Sequence, residues 1–137
     1  MTYCLLSGKE GIATIRREPM RTEQGRLAED AACRYLRGRG LTLVTRNYRC
    51  RQGEIDLVMK DRDCLVFVEV RYRANPRFGS GAETIDRRKQ ARLITAARHY
   101  LQRCVDTADV PCRFDVVALA PGTAAGSLQW IRDAFQT

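Results

Sequence analysis

The chain has 137 residues, of which 45% are hydrophobic and 29% are charged, as in one ordinary globular domain. This composition excludes a disordered or collagen-like chain, and apolar runs such as residues 65–68 are too short to span a bilayer. The net charge of +8 favours an anionic partner, most commonly nucleic acid, over a protein that is simply basic. Because the first residues lack the basic-then-apolar order of a signal peptide, we expect a cytoplasmic protein.

Six cysteines and one histidine exclude two further kinds of site. The cysteines are scattered and form no C-x-x-C pair, so a structural zinc site is not expected. With His99 as the only histidine, nucleophilic catalysis by a Ser-His-Asp or Cys-His arrangement is disfavoured. We expect the cysteines to be reduced, small and mostly buried.

The first half of the chain predicts a leader, a helix and three strands. Residues 1–21 show no sustained period and are expected to form a loose leader. From Thr22, which can cap a helix, apolar residues recur at helical spacing until Gly38 and Gly40. The elements predicted next are a strand at 41–46, a turn at 49–53, a strand at 54–60, a tight turn at 61–63 and a strand at 65–73. Within the second strand, Ile55, Leu57 and Met59 are expected on one face.

The second half predicts one more helix and two more strands. In chain order these are a flexible loop at 75–81, a helix at 84–103 and strands at 113–119 and 127–131. The order is α-β-β-β-α-β-β. Strands that pair before and after a helix predict an α/β fold, a mixed sheet flanked by helices, in one domain over residues 22–135.

Two carboxylates are expected to meet on neighbouring strands. If the turn at 62–63 has two residues, Asp61 pairs with Cys64, and Asp56 then lies directly opposite Glu69. A charged residue inside an apolar strand is costly to bury without a partner. Oxygen-only ligands suit Mg²⁺ or Mn²⁺, which can polarise a phosphate and activate a water. The register therefore predicts a divalent cation site.

Two further charged residues are expected near this pair. Arg71 shares the face of Glu69, where it can bind a phosphate or stabilise developing negative charge. The alternative is an ion network on the sheet surface, in which Glu69 pairs with Arg71, Arg73 or Arg113. Glu29 lies at the edge of the apolar stripe of the first helix and is placed to be an outer metal ligand. Its alternative is a solvated helix acid.

Cationic residues form clusters that are expected to contact phosphates. The second helix begins with several cations, against the preference of the helix dipole, which suggests a use elsewhere. The alternative is a solvated charged face. No sequence-reading element is visible, so recognition of the backbone or of shape is expected. The residues predicted to bind nucleic acid are Arg46, Arg49, Arg73, Arg87, Arg88, Lys89 and Arg92.

Five motifs carry a resemblance to a known family. They are G-R-L-A-E-D-A-A-x-x-Y-L-x-x-x-G (25–40), R-N-Y-R (46–49), G-E-I-D-L-V (53–58), V-F-V-E-V-R-x-R (66–73) and R-F-D-V-V (113–117). Together they resemble the YraN-like family of small bacterial proteins. That family is similar to the restriction-endonuclease-like superfamily and is closest in layout to archaeal Holliday-junction resolvases. The resemblance covers residues 22–135.

The resemblance implies a nuclease fold and Mg²⁺- or Mn²⁺-dependent cleavage of DNA, with branched DNA and a homodimer by analogy. It implies Glu29, Asp56 and Glu69 as metal ligands, and Asp56, Glu69 and Arg71 as catalytic residues. Arg71 stands where a catalytic lysine is usual, and arginine can hold a phosphate but cannot act as a general base. Lys89 is a candidate stand-in, or else a solvated helix lysine.

The leading hypothesis from the sequence is therefore a metal-dependent DNA endonuclease. The first alternative is a nucleic-acid-binding protein on the same fold that has no turnover. The second alternative is a basic scaffold that docks on a protein partner.

Overall fold

The computed structural model describes residues 22–72, 85–104, 110–120 and 128–136. Two helices and five strands lie within these residues. The predicted leader, Arg73 and the predicted loop at 75–81 lie outside these residues. The elements are α1 (Glu23–Gly38), β1 (Thr42–Cys50), β2 (Gly53–Asp61), β3 (Cys64–Tyr72), α2 (Arg87–Cys104), β4 (Cys112–Leu119) and β5 (Leu128–Phe135). Their order confirms the predicted α/β fold class.

The strands form one mixed sheet, in the order β1-β2-β3-β4-β5. The pair of β3 and β4, which α2 connects, is parallel, and the other neighbours are antiparallel. Val66 and Val68 of β3 pack in the cluster that contains α1, whereas Leu65 and Phe67 pack in the cluster that contains α2. Since successive strand residues point to opposite faces, the two helices cover opposite faces of the sheet.

The first helix has the limits that its capping residues predicted. The hydroxyl oxygen of Thr22 accepts a hydrogen bond from the backbone N–H of Gly25 at 2.9 Å, which satisfies one of the free donors at the helix start. The helix ends at Gly38, and Gly40 follows with a φ of +99°, a conformation that glycine adopts without strain.

Two strands are longer than predicted. β1 continues to Cys50 and leaves only residues 51–52 for the turn that was predicted at 49–53. β5 continues to Phe135 instead of ending at residue 131, because the ring of Phe135 stacks on that of Phe114 with centroids 4.7 Å apart. Both extensions depend on packing against residues that are distant in the chain.

The second helix begins later than residue 84, at Arg87. The carboxylate of Asp86 accepts a hydrogen bond from the backbone N–H of Lys89 at 2.8 Å and caps the helix. The helix also lies very close to the start of β2. A Cβ atom on Gly53 would be 2.9 Å from the carbonyl oxygen of Arg92. Gly53 therefore allows the first turns of α2 to sit directly on the sheet.

Three residues of β2 were expected on one face of the sheet, and this expectation is wrong for Ile55. Leu57 and Met59 pack in the α1 cluster, but Ile55 packs in the α2 cluster. At this level of the neighbouring strand, Asn47 has a φ of +51°, outside the extended region of a regular strand. This irregularity in β1 accounts for the lost alternation beside Asp56.

The cysteines follow the expectation only in part. Cys33, Cys50, Cys64 and Cys112 are free thiols, as expected. Of these four, Cys33 is buried, Cys50 and Cys64 are half-buried and Cys112 is exposed, so the expectation of mostly buried cysteines is wrong for them. Neither of the described helices is long and apolar enough to cross a membrane.

Candidate metal and nucleic-acid site

Asp56 and Glu69 lie side by side, as the predicted turn required. Asp61 is the Cα partner of Cys64, and the same register continues to Leu57 and Val68. Asp56 and Glu69 are one residue further on in this register, and the charge of Glu69 is close enough to raise the pKa of Asp56. Glu69 is buried and Asp56 is half-buried. The short turn thus brings two carboxyl groups close together at one end of the β2–β3 ladder.

A backbone hydrogen bond fixes the orientation of Asp56. Its carboxylate accepts from the N–H of Val70 at 2.8 Å, in the strand that also carries Glu69. Such a bond favours the ionised form of the acid. Because the donor directly follows Glu69 in the chain, this bond holds the Asp56 carboxylate close to the backbone of Glu69.

The pair is electrostatically unfavourable as two anions. Burial, followed by the nearby charge of Glu69, raises the pKa of Asp56 well above its usual range, against the opposing effect of the Val70 N–H. Burial also raises the pKa of Glu69, although the positive charges of Lys89 and Arg71 oppose that increase. Two like charges in one small volume disfavour full ionisation. A cation between them would reverse this preference.

Lys89 supplies a positive charge at the pair. Its Nζ lies 3.4 Å from Oε2 of Glu69, while 42% of its side chain stays exposed, so Lys89 is both an ion-pair partner and partly solvated. Arg71 is close enough to lower the pKa of Glu69 and lines the same cleft. Arg113, one alternative partner of Glu69, instead binds Asp115 at 2.9 Å.

Glu29, on α1, lines a cleft separate from the two that contain Asp56 and Glu69. It is 5% exposed, so the alternative of a solvated helix acid is wrong. Its Oε1 accepts a hydrogen bond from Nδ2 of Asn47 at 3.1 Å. The guanidinium of Arg46 is 3.6 Å from Glu29 and only 2.9 Å from Asp30. The negative charge of Glu29 contributes to the raised pKa of Asp56, after burial and the charge of Glu69, so Glu29 is within electrostatic reach of the pair.

The donors at this site fit a hard cation. Asp56 and Glu69 offer carboxylate oxygens, which Mg²⁺ and Mn²⁺ prefer. Among the described residues, no group of three or more Asp, Glu, His or Cys side chains converges as a ready metal cage. The arrangement is thus two neighbouring carboxyl groups, with Glu29 as a more distant third acid.

Two neighbouring clefts open on this pair. Lys89 and Arg92 line both clefts, Asp56 lies in the first, and Glu69 lies in the second. The other cationic residues that line them are Arg49 and Arg51 in the first and Arg71 and Arg88 in the second. Each cleft also contains two acids, so cations outnumber acids by four to two in each. A cleft with an excess of positive charge favours anionic ligands such as a phosphate backbone.

The predicted phosphate-binding residues are in different situations. Arg87, Arg88 and Arg92 are exposed, and none of them has an ion pair within the described parts of the chain. Arg49 lies 3.7 Å from Glu54. Arg46 lines a separate cleft with Glu29 and Asn47, and Arg73 lies outside the described residues.

Sequence reasoning missed Asn47, whereas Arg51 had been expected to extend the basic surface. Asparagine is unfavourable inside a strand, so Asn47 in R-N-Y-R was an available signal of an irregular backbone. Arg51 belongs to the turn beside the first cleft.

The match to a protein family covers the elements that carry the acidic pair. The profile of the uncharacterised protein family UPF0102 matches residues 28–119. A UPF0102 protein of Nitrosococcus oceani is 54% identical over 114 residues, which are 83% of this chain and 92% of that protein. A UPF0102 protein of Pseudomonas putida is 52% identical over 116 residues, 84% of this chain and 94% of its own length. The chain therefore belongs to the UPF0102 family.

Proposed function

We propose that this chain binds DNA and cleaves its phosphodiester bonds with the help of Mg²⁺ or Mn²⁺ at Asp56 and Glu69. The observation that carries the proposal is the placement of two carboxyl groups on neighbouring strands, with raised pKa values, at two clefts in which cationic residues outnumber acids. An arrangement that costs stability when both groups ionise is characteristic of a site selected for chemistry. A divalent cation offsets that cost and brings the phosphate to the pair.

Each residue of the pair and its surroundings has a role in this proposal. Asp56 and Glu69 would hold the cation, which when bound polarises the phosphate and activates a water. Arg71 is permanently charged and can bind a phosphate oxygen or stabilise the charge that develops on it. Lys89, at 3.4 Å from Glu69, adds a second positive charge at the same place.

The clefts support recognition of the phosphate backbone. Their six cationic residues are Arg49, Arg51, Arg71, Arg88, Lys89 and Arg92. If all six contact phosphates, the logarithm of the association constant falls with the logarithm of the salt concentration with a slope of about −5. We expect weak dependence on base sequence, and we propose branched DNA as substrate and a homodimer as the active assembly.

A second candidate function is binding of nucleic acid without cleavage. The observation that favours it is the ion pair of Lys89 with Glu69, which gives one carboxylate a countercharge from the chain itself. Arginine at position 71 favours it as well, because arginine cannot take up a proton as a general base.

Cleavage of labelled branched, duplex and single-stranded DNA, with Mg²⁺, with Mn²⁺ and with a chelator, separates the two functions. The control is Asp56→Asn, which keeps the size of the side chain and removes its charge. Cleavage by the natural chain that the chelator and Asp56→Asn both abolish supports the nuclease. Salt-dependent binding of DNA without any cleavage supports the second function, and absence of binding at low salt contradicts both.

A further inference from the structure

Asn47 has a backbone conformation that regular strands do not contain. Its φ is +51°, in the left-handed region, which asparagine tolerates better than most other residues with a side chain. On either side of it, the Cα partners are Arg46 with Leu57 and Tyr48 with Ile55. Asn47 therefore lies at the level of Asp56 on the neighbouring strand. Non-glycine residues in this region often mark functional sites.

The side chain of Asn47 connects this irregular position to α1. Its amide Nδ2 donates to Oε1 of Glu29 at 3.1 Å, and Glu29 is 5% exposed. A competing donor is close, since the guanidinium of Arg46 lies 3.6 Å from the same oxygen. The nearby Asp30 engages that guanidinium at 2.9 Å. The neutral amide thus occupies an oxygen that a charged group could otherwise take.

We infer that Asn47 is a positioning residue of the acidic site. Its left-handed backbone directs the amide toward α1, and the amide holds the Glu29 carboxylate beside the strand position that lies level with Asp56, leaving Arg46 at 3.6 Å. This role rests on the proposed function of Asp56 and Glu69 as a cation site. Without the amide, Glu29 turns to Arg46, because charge-assisted hydrogen bonds are stronger than neutral ones. The pair of Asp56 and Glu69 then loses the nearby negative charge of Glu29, which would help to attract a cation.

The substitution Asn47→Gly separates the side chain from the backbone. Glycine adopts the same φ without strain, so the variant removes the amide and keeps the strand geometry. Titration of the full chain with Mn²⁺, without nucleic acid, should show an affinity about 10- to 100-fold weaker than that of the natural chain, the usual effect of losing an outer partner of a metal site. The matched control is Arg62→Gly, at another left-handed residue with a φ of +60°, in the turn between β2 and β3. Its Mn²⁺ affinity should be unchanged.

The role of Arg46 is tested by a double-mutant cycle. In the background of Arg46→Gln, the loss caused by Asn47→Gly should be smaller, because the competing donor is absent. An equal loss in both backgrounds overturns the competition with Arg46. If Asn47→Gly folds cooperatively and binds Mn²⁺ like the natural chain, the positioning role is wrong while the cation site stands. If the natural chain itself binds no Mn²⁺, both the cation site and the positioning role are overturned.

Discussion

Asp115 and the pair of Asp56 and Glu69 lie in neighbouring strands of the same sheet, but their hydrogen-bond partners differ. Asp115 of β4 is 0% exposed. Its Oδ1 accepts from Nε of Arg113 and the backbone N–H of Asp133, both at 2.9 Å. Its Oδ2 accepts from Nη2 of Arg113 at 3.1 Å and from Nε1 of Trp130 at 3.0 Å. Every oxygen of this buried anion therefore has two donors.

Within the described residues, the pair of Asp56 and Glu69 lacks such a closed set of donors. The two acids face each other, with the N–H of Val70 bonded to Asp56 and the ammonium of Lys89 beside Glu69. Burial and mutual repulsion raise the pKa of Asp56, and burial raises that of Glu69. A buried acid with a full set of donors stabilises the fold, whereas a pair that is left short of donors is available to bind a ligand. Burial of an acid by itself does not distinguish the two roles.

The same chemical change should have opposite effects in the two places. Asp115→Asn leaves the buried guanidinium of Arg113 without its main countercharge and should lower the free energy of unfolding by about 3–5 kcal/mol. Asp56→Asn removes a repulsion and should leave that free energy unchanged or raise it, while it abolishes cation-dependent cleavage. Urea denaturation of both variants measures the contrast. A similar loss of stability in both would contradict it.

Arg71 tests whether the acidic pair performs chemistry. If Arg71 supports charge in the transition state, Arg71→Ala should lower the turnover number by about 10²-fold, and Arg71→Lys should retain it or improve it. If the chain only binds DNA, both changes should weaken affinity alone. Single-turnover cleavage at saturating protein separates the two results, with Arg34→Ala as a control in an exposed cationic residue of α1 outside the two clefts.

Gly53 tests whether α2 must lie close to the pair. Gly53→Ala places a Cβ 2.9 Å from the carbonyl oxygen of Arg92, so the helix has to move. We expect a loss of about 1–3 kcal/mol in stability from overpacking, together with weaker binding of DNA, because Lys89 and Arg92 move with the helix. The control is Gly38→Ala, whose Cβ meets no atom within 4 Å. Unchanged DNA affinity in Gly53→Ala would argue against these two cations as contacts.

The dependence on pH should arise at the acidic pair. The pKa values of Asp56 and Glu69 are higher in the folded chain than in the unfolded chain. At a pH between the unfolded and the folded pKa values, the folded chain therefore binds more protons than the unfolded chain. The pair therefore lowers stability as pH rises through the folded pKa values, and the penalty is relieved as pH falls below them. Binding of Mn²⁺ releases the bound proton, so its affinity should rise by up to about tenfold per pH unit and level off above the folded pKa. Asp56→Asn should flatten both profiles.

Local rules were sufficient for the contact that matters most. The two-residue turn at 62–63 determines which strand positions face each other, so counting residues back from that turn was enough to place Asp56 beside Glu69. The cap at Thr22 and the stop at Gly38 were equally local. A turn or a cap depends on a few neighbouring residues, and the physics of those residues can be read directly from their order.

Only the tertiary structure decided which distant side chains complete each site. Lys89 approaches Glu69 because α2 packs against Gly53, and Glu29 is held because one residue of β1 is left-handed. The closed network of Asp115 needs Trp130 from a strand that the chain reaches later. The apolar neighbours of Glu69 in its strand predicted that its burial would need a partner, but donors contributed from other elements determine whether a buried acid such as Glu69 or Asp115 is satisfied. Those donors depend on packing between distant segments, which residue order alone does not specify.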